Sequence, residues 1–173
     1  MAFKNPKPIL NESALYDYAI GALTRRMRTI AELKRLLRRR CSDEAMVSSV
    51  IIRLKDHKYL SDSAYAAAYA ALRRDNQKFG SRRVITDLKV KGVHTEIIEK
   101  AVNDVYGGVN ELSQARAFLK RKRLSQPATN QEAARIFRTL MRAGFGVATS
   151  IRILKNWEVE DEVLTALQEE SDH

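Results

Sequence analysis

The chain is short of the residues that punctuate or cross-link a fold. It has one cysteine, three prolines, seven glycines and three histidines in 173 residues. A single cysteine, Cys41, rules out an intrachain disulfide framework and fits a reducing cytosol. Few Gly and Pro disfavour a turn-rich sheet protein. No apolar run approaches the roughly 20 residues that cross a bilayer. The first residues, Met1 to Pro8, carry Lys4 and Lys7 with no apolar stretch behind them, unlike a secretory signal. His57, His94 and His173 share no ligand spacing, and one cysteine excludes the common zinc patterns. No P-loop is present, since Gly107-Gly108 is not followed by Lys and Ser/Thr. Asp56-His57 and Asp161-Glu162 belong to no catalytic pattern and read as surface charges. A metal, a cofactor and an enzyme active site are therefore not expected, and the chain reads as soluble and cytoplasmic.

What is abundant is positive charge and helical periodicity. The formal net charge is +10, and it is unevenly placed. From Glu158 to His173 there are seven acids and no Lys or Arg, so residues 1–157 hold all 31 bases against 14 acids, a balance of +17. Such a body attracts polyanions, either nucleic acid or the acidic surface of a protein that handles it. The acidic end reads as a solubilising segment or as a shield for the basic surface in cis.

Three segments share a register about fifty residues apart: Glu32-Leu33 through Leu37 to Cys41, Arg83-Val84 through Leu88 to Gly92, and Arg135-Ile136 through Leu140 to Gly144. Self-similarity at a long period marks one supersecondary unit used repeatedly. Apolar residues recur at helical spacing throughout, and nothing alternates with period two. Thr29 with Glu32 forms a capping-box pattern for a helix whose stripe is Ile30, Leu33, Leu36 and Leu37. On the opposite side of the helical wheel fall Lys34, Arg35, Arg38 and Arg39. Ser42 or Asp43 can open the next helix, and Ser61 or Asp62 an Ala- and Tyr-rich one through Tyr65, Ala68, Tyr69 and Leu72. Gly80-Ser81 precedes a helix over 82–91, Thr95 or His94 begins another, and helices follow over 111–124, 130–143 and 147–157. Val159, Val163, Leu164 and Leu167 keep helical spacing beyond Trp157. Gly92 and Gly144 sit where a left-handed residue ends a helix, while Cys41 does not fit that rule and predicts a different turn. The predicted organisation is all-α, with an arm over 1–12, repeats over 13–59, 60–108 and 109–157, and an acidic tail over 158–173.

The ordered motifs Thr29-x-x-Glu32-Leu33-x-x-x-Leu37, Tyr59-Leu60-Ser61-Asp62-x-x-Tyr65-Ala66 and Gly80-Ser81-Arg82-Arg83-Val84-x-x-Asp87-Leu88-x-x-Lys91-Gly92-Val93 resemble the bacterial regulatory protein family RecX. The similarity extends more weakly to Arg135-Ile136-Phe137 and Arg142-Ala143-Gly144-Phe145, and covers roughly residues 13 to 157. The resemblance implies an elongated, curved array of three tandem three-helix repeats. It implies a non-enzymatic partner of the RecA filament on single-stranded DNA, seated along the filament groove. Such proteins limit filament growth and damp strand exchange, ATP hydrolysis and the co-protease activity behind the SOS response. They thereby bear on DNA repair and recombination. Cys41 stands where the family has a glycine, and the third repeat diverges.

Polyanion binding needs long cationic side chains on one surface. The candidates are Arg25, Arg26, Arg28, Lys34, Arg35, Arg38 and Arg39 in the first repeat. The second offers Arg73, Arg74, Lys78, Arg82 and Lys89. The third offers Arg116, Lys120, Arg121, Lys122, Arg123, Arg138 and Arg142. They face DNA directly or the acids of RecA, since guanidinium pairs with phosphate and carboxylate alike. Charge alone fits equally a general nucleic-acid-binding repeat without a RecA role, or an adaptor whose charge is incidental. Tyr16, Tyr65, Tyr69, Tyr106 and Trp157 read as packing residues rather than base-stacking platforms. A monomer is expected, with no membrane partner.

Overall fold

A computed structural model describes residues 8–171. Residues 1–7 of the expected arm, and Asp172 and His173 of the acidic end, lie outside the described residues. Among those described there is no strand. The order is α1 (Glu12–Arg25), α2 (Ile30–Arg38), α3 (Glu44–Asp56), α4 (Asp62–Leu72), a π-helical turn (Arg73–Gln77), α5 (Ser81–Val90), α6 (Thr95–Tyr106), α7 (Glu111–Lys122), α8 (Asn130–Arg142), α9 (Val147–Lys155) and α10 (Asp161–Ser171). Two compact units result, one of residues up to Ala66 together with Leu88–Ile98, the other of Ala67–Asp87 together with residues from Glu99 onward.

The first unit is built around Leu15, Ala19, Leu33, Leu37, Val47, Val50 and Leu54, all fully or almost fully buried. Its helix starts follow capping chemistry. The Asn11 side chain accepts from the Ala14 N–H and Asp43 accepts from Ala45 and Met46. At α2 the capping box is complete: Thr29 Oγ1 accepts from the Glu32 N–H at 3.1 Å, and Glu32 Oε2 accepts from the Thr29 N–H at 3.4 Å. Ser61 caps α4 through the Ala64 N–H. Asp62, one residue on, reaches instead to α2, where its Oδ1 accepts the Ile30 N–H at 2.8 Å. Within α4 the buried residues are Asp62, Tyr65, Ala66 and Ala70, while Ala68 and Leu72 of the expected stripe are exposed.

The turn after α5 closes on this same place. Thr29 Oγ1 donates to the Lys91 carbonyl at 2.8 Å, and Lys91 Nζ pairs with Glu32 Oε1 at 3.2 Å. Gly92 has φ +79°, and a Cβ there would lie 2.6 Å from Ala31 Cβ. Glycine is needed both for the left-handed turn and for the approach. Cys41, one repeat earlier, is not among the positive-φ residues. The turn before it follows Arg39 in right-handed conformation, as its lack of glycine predicts. Its Arg40 carbonyl accepts the Ile9 N–H at 2.7 Å.

The second unit is centred on Phe118, Leu119, Ile136, Phe137, Leu140, Phe145, Ile153 and Leu154. The Phe118 ring lies 5.7 Å from that of Phe145 and 6.1 Å from that of Phe79, between centroids. The turn after α8 meets the start of α5 chiefly by backbone, with Arg83 Nη1 also donating to the Arg142 carbonyl at 3.5 Å. The Gly80 N–H donates to the Ala143 carbonyl at 2.9 Å. A Cβ on Gly80 would stand 2.2 Å from the Gly144 carbonyl oxygen, and one on Gly144, with φ +91°, 2.2 Å from the Arg83 nitrogen. The acidic segment is an ordered helix here: Leu164 and Leu167 of α10 are buried against α8 and α9.

Candidate polyanion-binding surface

The basic residues expected on one face of α2 are divided into two stripes, because 100° steps put Lys34 and Arg38 on one flank of the apolar stripe and Arg35 and Arg39 on the other. On the first flank Arg38 holds Glu44 with both ends of its fork, Nε to Oε1 at 2.5 Å and Nη2 to Oε2 at 2.8 Å. The hydrogen bond from Arg38 holds the Glu44 carboxyl below the usual carboxylate range. That guanidinium is thus already paired. On the second flank Arg35 and Arg39 join Arg26 and Arg28, from the connection between α1 and α2, around a cavity of about 240 Å³ also lined by Glu32 and Leu36. Arg28 Nε donates to the Ala22 carbonyl at 3.3 Å and Arg35 Nε to the Ala31 carbonyl at 3.4 Å, which steadies both forks at their root. Glu32 Oε2 lies 3.6 Å from Arg26 Nη1. Arg25, at the end of α1, is exposed.

In the second unit the cationic residues part company. Arg73 and Arg74 occupy the π-helical turn, and both are half-buried. Arg73 turns inward over the rings of Tyr69 (4.6 Å) and Phe79 (5.8 Å) and donates to Gln77 Oε1 at 2.6 Å. Arg74 Nη1 donates to the Val105 carbonyl at 2.7 Å, and its Nε to Asp75 Oδ1 at 2.7 Å. Both brace the unit. Lys78 ends the turn in left-handed conformation. Arg82 and, in the first unit, Lys89 are exposed on α5. Arg116, Lys120, Arg121 and Lys122 are exposed on α7, the last three in the final turn where cations complement the helix dipole, with Arg123 exposed just beyond. Arg142 is exposed at the end of α8, while Arg138 pairs with Glu170 of α10 at 3.2 Å. Lys155 lies 3.6 Å from Asp161. The acidic segment thus pairs with Arg138 and Lys155 locally.

The tyrosines are tied into the fold. Tyr65 is buried under Lys91, Tyr69 donates to Asp87 Oδ2 at 2.9 Å, and Tyr106 donates to the Phe79 carbonyl at 3.0 Å. Burial pushes the Tyr106 phenol up to about 12. Tyr16 shares a hydrogen bond with His57 at 2.9 Å and lies beneath the Arg53 guanidinium. Burial would lower the Lys91 ammonium, but hydrogen bonds with Tyr65 and Glu32 outweigh it and hold its pKa above the ordinary value. Sequence reasoning missed the role of Asp62 at α2 and of Lys91 at Glu32. The signal was present in the shared motifs, because Thr29, Glu32, Asp62, Lys91 and Gly92 all meet at one point. No helix of the described residues is long and apolar enough to cross a membrane. Among those residues no three His, Cys, Asp or Glu side chains cluster as metal ligands would.

Comparison with known proteins agrees with the motifs. Residues 61–102 match the family description "RecX, second three-helix domain". The chain is similar to the regulatory protein RecX of Myxococcus xanthus, at 30% identity over 169 residues, covering 87% of this chain and 89% of that one. It is 27% identical to that of Bacillus licheniformis over 152 residues, covering 85% of this chain and 56% of the relative. The chain spans about half the length of that relative and of its Geobacillus thermodenitrificans counterpart, of which 49% is covered. A crystal structure of RecX from Lactobacillus salivarius matches with a TM-score of 0.68 at 21% identity, covering 85% of this chain and 96% of that one, which supports the all-helical fold. With a full-length relative at this identity, the chain belongs to the RecX family of regulatory proteins.

Proposed function

We propose that this protein binds the RecA filament on single-stranded DNA and modulates it, chiefly by inhibition, without chemistry of its own. Membership of a regulatory family carries the reading. Exposed cations on α2, α5 and α7 support it, since they suit a phosphate backbone or the acids of a protein bound to one. Any effect on ATP turnover is then exerted at the RecA site. The test is a titration of RecA's single-strand-dependent ATPase, run beside an unrelated ATPase that needs the same DNA. Substoichiometric protein is expected to slow RecA alone. Equal slowing of both enzymes favours simple competition for DNA, and an unchanged RecA rate with folded protein rejects both readings.

A further inference from the structure

The cleft between α2 and the α1–α2 connection gathers arginines around one concavity. Where arginines meet acids elsewhere they do so one to one: Arg38 meets Glu44, Arg83 meets Asp87 at 3.0 Å, and Arg138 meets Glu170. In the cleft Arg26, Arg28, Arg35 and Arg39 surround one carboxylate, Glu32. That carboxylate is already engaged by Lys91 at 3.2 Å and Arg26 at 3.6 Å. Among the described residues no carboxylate pairs with Arg28, Arg35 or Arg39. Four guanidiniums against one acid leave the lining with three net positive charges in about 240 Å³. Like charges gathered around one cleft repel, and a bound anion relieves that repulsion.

The dimensions and charge narrow the ligand. Pockets for whole small molecules hold roughly 300–1,000 Å³, so this one admits a compact head group. A single carboxylate or an internal phosphodiester carries one negative charge and leaves most of the excess unbalanced. We propose that the Arg26–Arg28–Arg35–Arg39 cleft binds a compact, multiply charged phosphate group, such as a pyrophosphate, the phosphate tail of a nucleotide or a terminal phosphate. The guanidinium fork matches adjacent phosphate oxygens in pairs. The Nε bonds of Arg28 and Arg35 to main-chain carbonyls leave their terminal amino groups for the ligand. The site does not depend on the RecA reading.

The test uses the whole protein and sodium pyrophosphate in a calorimetric titration at constant ionic strength, with citrate as a carboxylate of comparable charge. One saturable site is expected. Arg35→Ala and Arg39→Ala should each weaken it by about tenfold, the usual effect of removing a charged hydrogen-bonding partner. Arg138→Ala, on the other unit, should leave it unchanged. Both cleft arginines are exposed, so each variant should melt as the parent does, and one folded variant suffices for the comparison. Displacement of pyrophosphate by a 5′-phosphorylated oligonucleotide, but not by its 5′-hydroxyl twin, supports the site with a strand end as the source. Displacement by ATP and by neither oligonucleotide supports it with a free nucleotide. Absence of saturable binding, equal affinity in the cleft variants, citrate binding as tightly as pyrophosphate, or equal displacement by both oligonucleotides overturns it. RecA is absent from the experiment, so its failure and that of the filament reading remain distinct.

Discussion

Two turns at equivalent positions in the repeat are held by different chemistry. After α5, the turn at Lys91-Gly92 is tied to α2 by side chains: the Thr29 hydroxyl, the Glu32–Lys91 pair and the Ala31 methyl beneath Gly92. After α8, the turn at Ala143-Gly144 is tied to α5 chiefly by main chain, with the Gly80 N–H on the Ala143 carbonyl and Gly144 against the Arg83 backbone, and only a long Arg83 Nη1 bond to Arg142 beside them. In the fifty-residue register Thr29 and Gly80 stand at the same place, as do Lys91 and Ala143. The carbonyl that must be satisfied is conserved in position, while its donor changes from a side chain to a peptide group. A side-chain joint tolerates sequence change by substitution of partners. A peptide joint tolerates almost none, because nothing smaller than glycine exists.

Mutations that add a methyl group break the comparison most sharply. Gly144→Ala should be the worst, costing about 3 kcal/mol or more, since the strain of a positive φ adds to a collision with backbone that cannot move aside. Thermal unfolding of the purified variant measures it, and a loss below that of Gly92→Ala would refute the distinction. Gly92→Ala meets only the Ala31 methyl, so Ala31→Gly should recover part of its loss in a double-mutant cycle. No change at the Arg83 side chain should rescue Gly144→Ala in the same way.

Thr29→Val keeps the shape of a wholly buried residue but removes both the cap of α2 and the donor to Lys91. About 1–2 kcal/mol should be lost, read from chemical denaturation at neutral pH. A cost near zero would show that this joint rests on packing.

The smallest effect is expected at Asp62. Burial lifts its carboxyl above the ordinary value, against the Ile30 hydrogen bond and the nearby His94 and Lys55, with Glu32 adding to the rise. Its protonated form is therefore favoured by folding. The stability it contributes is complete below the unfolded value near 3.8 and is lost as pH rises through the raised folded value. Asp62→Asn keeps an acceptor for Ile30 and removes that loss, so it should match or slightly exceed the parent in melting temperature at pH 7. The gap should close on acidification. Asp62→Ala, which leaves the Ile30 N–H unpaired, should instead lose about 1 kcal/mol. Were the Asn variant as damaged as the Ala variant, the charge itself would be what holds α2.

Much of this architecture was legible in local patterns. Thr29 and Glu32 announce α2 because a capping box is complete within four residues, and Gly92 and Gly144 announce left-handed turns because few other residues adopt them. Leu164 and Leu167 announce α10 by spacing alone. What escaped notice depends on distance in the chain or on the side of a helix a cation takes. Asp62 is near its own helix start, and nothing local says that it serves Ile30, 32 residues earlier. Arg73 and Arg74 read as free cations by residue type, but Arg73 continues the stripe of buried Tyr65, Ala66 and Ala70, and both are engaged within the unit. The cleft of four arginines was legible only as a cluster. The pairing that occupies Arg38 depends on Glu44, which lies on the next helix.

The hydrogen bond from Ile9 to Arg40 bears on how the first turn is closed. Arg40 stands in the register of Lys91 and Ala143, whose carbonyls receive Thr29 and Gly80. In the first repeat the Ile9 N–H fills that place. A carbonyl there without a donor would give up its bond to water and gain nothing in return. Ile9 thus imitates, with one peptide group, the neighbour that the later repeats find in Thr29 and Gly80.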